Sequence, residues 1–355
     1  MNKHLLHRLS PAQILGLTRN LIPPLSDSFY KGQAGRIVVV GGCEDYTGAP
    51  YFAALASTLL GADMSHIICE RNAATAIKSY SPNLMVHPYL FDSASQKQYA
   101  AYGVPTDQES VIQKVLSVID RVHVVVVGPG LGRDKVLLET TARIIQEVIK
   151  RSKPIVIDAD GLFLIQQNPD LIKGYQNAIL TPNVIELQRL RDAVDLPPYI
   201  AKDNVDHILE LQKLSELYGD ITILEKGKSD FISNATTTVE NPTVGGLKRV
   251  SGQGDTLSGT ISTFLAWKVA FESEGLWPHK QQLTITNQGV PIPLTSKDLF
   301  LLAAFGASAI TRLSSHKAFK AHGRALVTSQ ISDFIGESFH ELFETGDKPN
   351  PNVSL

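Results

Sequence analysis

The 355-residue sequence predicts an α/β protein, with three layers and a mostly parallel central sheet flanked by helices. Three observations carry this. From residue 36 to 227, strand-sized apolar runs alternate with helix-length patterns, which implies parallel pairing through right-handed crossovers. The run at 122–127 is apolar throughout, as in a strand buried on both faces. Glycines or paired carboxylates also stand where several strands end, at Gly41-Gly42, Gly128-Pro129-Gly130-Leu131-Gly132 and Asp158-Ala159-Asp160-Gly161.

In chain order, Ser10-Pro11 is a helix start, and Ile14, Leu17, Leu21 and Ile22 share one face before Pro23-Pro24. The first 26 residues lack acids and carry Lys3, Arg8 and Arg19, like a mitochondrial presequence. The amphipathic pattern favours a first helix of the fold instead, and a cytoplasmic protein. Strands are expected at 36–40 and 64–69, with an alanine-rich helix at 49–61 between them, and a polar stretch follows at 91–110. After the strand at 122–127 come a helix at 135–150, strands at 154–157 and 178–180, a helix at 204–218 and a strand at 221–224. Residues 231–239, with Asn234-Ala235 near the centre, read as a hairpin. Helices follow at 256–271, 296–313 and 329–343, around a surface excursion at 277–295. The tail, 346–355, is polar with two prolines and is expected to be disordered, leaving 1–345 as one domain.

Composition narrows the function. Hydrophobic residues at 43% and charged residues at 19% describe a folded globular chain, and the net charge of -2 argues against nucleic acid as partner. No apolar run reaches membrane-spanning length. Two cysteines, Cys43 and Cys69, suit a reducing compartment and exclude a disulfide framework. The ten histidines show no metal spacing, and there is no Gly-x-Ser-x-Gly elbow.

The most informative stretch is Ser251-Gly252-Gln253-Gly254-Asp255, which opens an apolar helix. Its glycines allow close approach of a ligand, and the helix start directs N–H groups and a positive dipole end at phosphate oxygens. Asp255 is then either a cap or a base beside a phosphate in transfer. Gly41-Gly42 with Gly48 and Glu70 follows a dinucleotide-fold plan but misses the Gly-x-Gly-x-x-Gly spacing. Gly227-Lys228-Ser229 resembles the end of a P-loop, but Thr222 stands where its first glycine belongs. Lys226 and Lys228 follow a strand, near a nucleotide or in a solvated turn. Asp158 and Asp160 offer magnesium binding or capping of the helix near Leu162, with capping favoured. Asn183 with Glu186 likewise offers a cap first and a ligand contact second.

Taken together, the chain from Lys31 to about Phe339 resembles the ATP-dependent NAD(P)H-hydrate dehydratases of the ribokinase-like superfamily. The resemblance rests on Lys31-Gly32-x-x-Gly35-Arg36, Gly41-Gly42-x4-Thr47-Gly48-Ala49-Pro50, Ser81-Pro82 with Val86-His87-Pro88, the loop 128–132, Asp158-Ala159-Asp160-Gly161, Leu180-Thr181-Pro182-Asn183, Lys226-Gly227 and Gly252-Gln253-Gly254-Asp255, in that order. It implies a lyase that repairs the S epimer of hydrated NADH or NADPH, using ATP with Mg2+ and releasing ADP and phosphate. Asp255 would be the base. The resemblance assigns the hydrated cofactor to Gly130, to Asn183, Val184, Ile185, Glu186, Leu187, Gln188 and Arg189, and to Asp255. It assigns ATP to Lys226, Gly227, Lys228, Ser229 and Asp230, and to Gly245, Gly246, Leu247, Lys248, Arg249, Val250, Ser251, Gly252, Gln253 and Gly254. Lys248 and Arg249 would screen phosphate charge or lie in solvent. Bacterial members of the family imply a homo-oligomer, although no stripe in the sequence marks an interface. A vitamin or sugar kinase of the same fold is the nearest rival. A non-enzymatic nucleotide sensor and a dehydrogenase lie further off.

Overall fold

A computed structural model describes residues 5–198, 203–273, 275–277, 282–345 and 352–354. The first helix, α1 (Pro11–Arg19), is closed by a capping box between Ser10 and Gln13 and buries Ile14 and Leu17. The alternating region follows as β1 (Arg36–Val40), α2 (Gly48–Leu60), β2 (Met64–Glu70), α3 (Ala74–Tyr80), β3 (Met85–Leu90), α4 (Ser93–Ala101), α5 (Gln108–Ile119) and β4 (Val124–Val127). It continues through α6 (Lys135–Lys150), β5 (Ile155–Ile157), α7 (Asp160–Gln167), β6 (Ala178–Leu180), α8 (Val184–Asp192), α9 (Asn204–Leu217) and β7 (Thr222–Glu225). The antiparallel β8 (Asp230–Ser233) and β9 (Thr238–Asn241) come next, then α10 (Gln253–Ser273), β10 (Thr284–Asn287), β11 (Val290–Pro293) and α11 (Ser296–His322). Last come α12 (Thr328–Ser332), α13 (Ile335–Phe339) and β12 (Asn352–Ser354).

Nine strands form one sheet in the order β3-β2-β1-β4-β5-β6-β7-β8-β9. The pairs from β3 to β7 are parallel, and the pairs β7–β8 and β8–β9 are antiparallel. Strand side chains alternate between two cores. Ile37, Val39, Val124, Val126 and Val156 face the core under α1, α2, α10 and α11, while Val38, Val40, Val125, Val127, Ile155 and Ile157 face the core under α5 to α9. This is why the runs at 36–40 and 122–127 show no polar alternation. The expected hairpin is β8–β9, turned through Asn234, whose side chain accepts from the backbone N–H of Thr236 and Thr237.

Three expectations need correction. The polar stretch at 91–110 holds α4, capped by Asp92, and the start of α5, capped by Asp107. The excursion at 277–295 contains a hairpin of β10 and β11, with Leu283 and Ile285 buried in the core. The tail is not wholly disordered, because Asn352–Ser354 pairs in parallel with β10; the rest of 346–355 lies outside the described residues.

Candidate active site

At the carboxyl edge of the sheet, the loops after β5, β6 and β7 and the start of α10 surround a cavity of about 660 Å3. It lies beside the strand-order switch between β1 and β4, which the chain itself fills. A side chain at Gly41 would lie 2.1 Å from the Pro129 carbonyl, and one at Gly130 2.5 Å from that of Tyr46. Gly42 N–H donates to the Gly130 carbonyl at 3.1 Å.

Each wall has a local cause. Ala159, at φ 48°, turns the chain sharply after β5, so α7 begins at Asp160 without a side-chain cap. The expected capping by Asp158 or Asp160 is therefore absent. Asp158 is buried in the cavity wall, where its Oδ1 accepts from Lys226 Nζ at 2.9 Å and from its neighbour's N–H. Asp160 turns outward to Gly132 N–H and Arg133 Nε. After β6, Asn183 does cap α8, with Glu186 closing the box, and both also line the cavity. After β7, Lys226 bridges to Asn183 and holds Glu186 at 3.8 Å.

Gly252 sits at φ +94°, a conformation that favours glycine, and feeds the chain into α10. Asp255 falls in the first turn, where N–H groups have no preceding helical carbonyl. Burial and the nearby Asp158 carboxylate push its carboxyl up to about 7, against the pull of Lys226. Burial alone would lower Lys226, but Asp158, Glu186 and Asp255 hold its ammonium above the ordinary value. Gln253 lines the cavity, and its side-chain Oε1 is buried without a partner among the described residues.

Of the expected nucleotide residues, Lys226, Gly227, Asp230, Gly245, Arg249, Val250, Ser251, Gly252, Gln253 and Gly254 line the cavity. Lys228, Ser229, Gly246, Leu247 and Lys248 do not. Leu247 is exposed, and Lys248 donates to the carbonyls of Arg324 and Leu326, which ties down this loop. Of the expected cofactor residues, Asn183, Glu186 and Asp255 reach the cavity, and Arg189 reaches an annex beside it. Val184 and Ile185 are exposed, Leu187 is in the core, and Gln188 bonds Asp192. Gly130 lies in the packed loop after β4.

Two residues escaped sequence reasoning. Thr311 and Arg312 reach the cavity from the middle of α11. Arg312 bonds Asp230 at 2.7 Å together with the carbonyls of Gly227, Lys228 and Thr243, clamping the loop after β7 to the segment after β9. Within a long helical pattern, nothing distinguished it from a surface arginine.

The fold is of the ribokinase-like kind. Among solved structures, a ribokinase-like superfamily protein from Enterococcus faecalis matches with TM-score 0.64 and 20% identity, covering 94% of this chain and 95% of that one. A Bacillus subtilis ADP/ATP-dependent NAD(P)H-hydrate dehydratase, co-crystallised with ATP/Mg2+, matches with TM-score 0.57 and 17% identity over 92% of this chain and 96% of that one. Within that fold, the chain belongs to the NAD(P)H-hydrate dehydratase family, whose model matches residues 37–335. Similar proteins called ATP-dependent (S)-NAD(P)H-hydrate dehydratase include one from Schizosaccharomyces pombe, 45% identical over 93% of both chains. Another, from Homo sapiens, is 42% identical over 93% of this chain and 85% of its own.

Proposed function

We propose that this protein restores hydrated NADH and NADPH of the S configuration to NAD(P)H at the expense of ATP. The observation that carries the reading is Asp255, a carboxylate held near neutral pKa at the open end of α10, facing Lys226. A base of that strength is matched to a hydroxyl proton at physiological pH. Asp255 takes the proton as the substrate oxygen attacks the γ-phosphorus of ATP, and ADP leaves. The first-turn N–H groups of α10, with Lys226, meet the negative charge that spreads over the transferring oxygens. The ring nitrogen's lone pair then expels the phosphate, and loss of a ring proton completes the double bond. Phosphorylation thus converts a poor leaving group into a good one.

ATP lies along residues 226–230 and 245–254, and the hydrated cofactor along Gly130 and residues 183–189. Among the described residues no three ligating side chains cluster tightly enough to grip a bare ion. Asp158 and Glu186 on one wall nevertheless fit the sparse carboxylate support that Mg2+ needs when nucleotide phosphates and water supply its other ligands. The ion would neutralise phosphate charge there. No described helix is long and apolar enough to cross a membrane, and we place the enzyme in the cytoplasm, as a homo-oligomer.

The test mixes purified protein with acid-hydrated NADH, Mg2+ and ATP and follows the dihydronicotinamide absorbance. Recovery of about half of a mixed-epimer sample is expected, since one site fits one configuration. ATP consumed on another alcohol without recovery would move the function to a small-molecule kinase.

A further inference from the structure

Beside the main cavity, sharing Ala159 and Glu186 with it, lies an annex of about 130 Å3. Two guanidinium groups border it, Arg133 from the loop after β4 and Arg189 from α8. Arg133 is held from behind. Its Nε donates to Asp160 Oδ1 at 3.1 Å, and its guanidinium lies 4.3 Å above the Phe163 ring. Asp160 in turn accepts from Gly132 N–H at 3.0 Å, so arginine, ring and glycine loop are fixed together. Among the described residues, no acceptor meets the two Nη groups of Arg133 or the guanidinium of Arg189. The acids nearby have partners already: Asp160 the groups just named, and Glu186 the Asn183 N–H and Lys226. A planar, anchored fork with free N–H groups suits a phosphate.

We propose that Arg133, with Arg189, forms a phosphate-binding subsite that positions the hydrated dinucleotide. This rests on the repair reading of the main cavity. The reacting hydroxyl must lie at Asp255, and ATP fills the side formed by 226–230 and 245–254. The rest of the dinucleotide then leaves past Ala159 and Glu186, straight into the annex. The phosphate bound is either the internal diphosphate or the 2′-phosphate found only on the NADPH form.

Steady-state kinetics of Arg133→Gln, with Arg133→Lys alongside, test this on both hydrated cofactors. KM for the hydrate should rise about tenfold in the Gln variant, with kcat and the KM for ATP within about twofold of wild type and partial rescue by Lys. An equal rise on both substrates identifies the diphosphate; a rise confined to hydrated NADPH identifies the 2′-phosphate. Unchanged KM on both overturns the subsite. Calorimetric binding of NADH and NADPH without ATP separates this from the repair reading. If wild-type protein performs no repair yet binds NADPH, and Arg133→Gln weakens that binding, the subsite stands and the activity falls. If wild type binds neither dinucleotide, or both proteins bind alike, the subsite is wrong.

Discussion

Gly41 and Gly254 both lie near the carboxyl edge of the sheet, and both belong to glycine motifs that suggest ligand contact. Their surroundings are opposite. A Cβ on Gly41 would collide with the Pro129 carbonyl at 2.1 Å, whereas one on Gly254 would meet only Lys226 Nζ at 3.4 Å and Asp158 Oδ2 at 3.7 Å. At the β1–β4 end, glycine lets the chain close on itself. At the β5–β7 end, it keeps a space open in front of charged groups. The same residue type therefore closes the packing in one place and leaves room in the other.

The strongest way to break this contrast is at its charged centre. Asp255→Asn keeps the shape and removes the base, so turnover should fall by about 10²- to 10⁴-fold while ATP still binds. Near-normal ATP-dependent recovery of dihydronicotinamide absorbance would remove Asp255 from the mechanism.

The two glycines test the contrast directly. Gly41→Ala should destabilise the fold by about 1–3 kcal/mol, the usual cost of overpacking, seen as a lower Tm. Gly254→Ala should leave Tm nearly unchanged and raise the KM for ATP about tenfold, because its methyl occupies space meant for phosphate. The reverse pattern, a structural defect at 254 and a binding defect at 41, would show that the two ends have been assigned the wrong way round.

Much of this difference could be read from the sequence, and some could not. Apolar runs mark β1, β2 and β4 to β7, because these strands are buried on both faces, whereas the half-buried edge strand β3 shows no such run. Gly252-Gln253-Gly254-Asp255 announced its own helix start, because such a site is local in sequence. Asp158 was misread as a cap. Its direction depends on the unusual backbone of Ala159, and its partner Lys226 lies 68 residues away. Arg312 bonds residues more than 60 positions distant, so its role exists only once α11 is packed against the β7–β8 turn. α4 was missed because its face is nearly all polar and its cap, Asp92, reads like any loop acid.

Protonation offers a finer probe of the open end. Asp255 rises from an ordinary 3.8 to about 7 through burial and Asp158, so kcat/KM should climb with pH through about 7. Asp158→Asn removes the repelling charge and should move that limb to lower pH; an unmoved limb would mean another group governs it. The ligand-free fold should respond in a related way. Because the folded chain keeps a proton that the unfolded chain gives up near 4, this group favours folding most in acid and loses that contribution as pH rises through 7. Asp255→Asn should therefore raise Tm relative to wild type at pH 8 and do so less at pH 5.

The smallest effect is expected farthest from both ends. β12 pairs only with β10, in a three-stranded sheet separate from the nine-stranded one, and its half-buried Val353 packs on the core beneath α1. Ending the chain at Thr345 exposes part of one valine's contact, about 1 kcal/mol, so Tm should fall by about 2 °C and the KM for ATP should not change. A fall much beyond that would mean that the last residues hold the β10–β11 hairpin against the core. A change in KM would connect this distant sheet to α10 and α11, whose packed faces carry Asp255 and Arg312, and the open end of the molecule would then depend on contacts well outside its own loops.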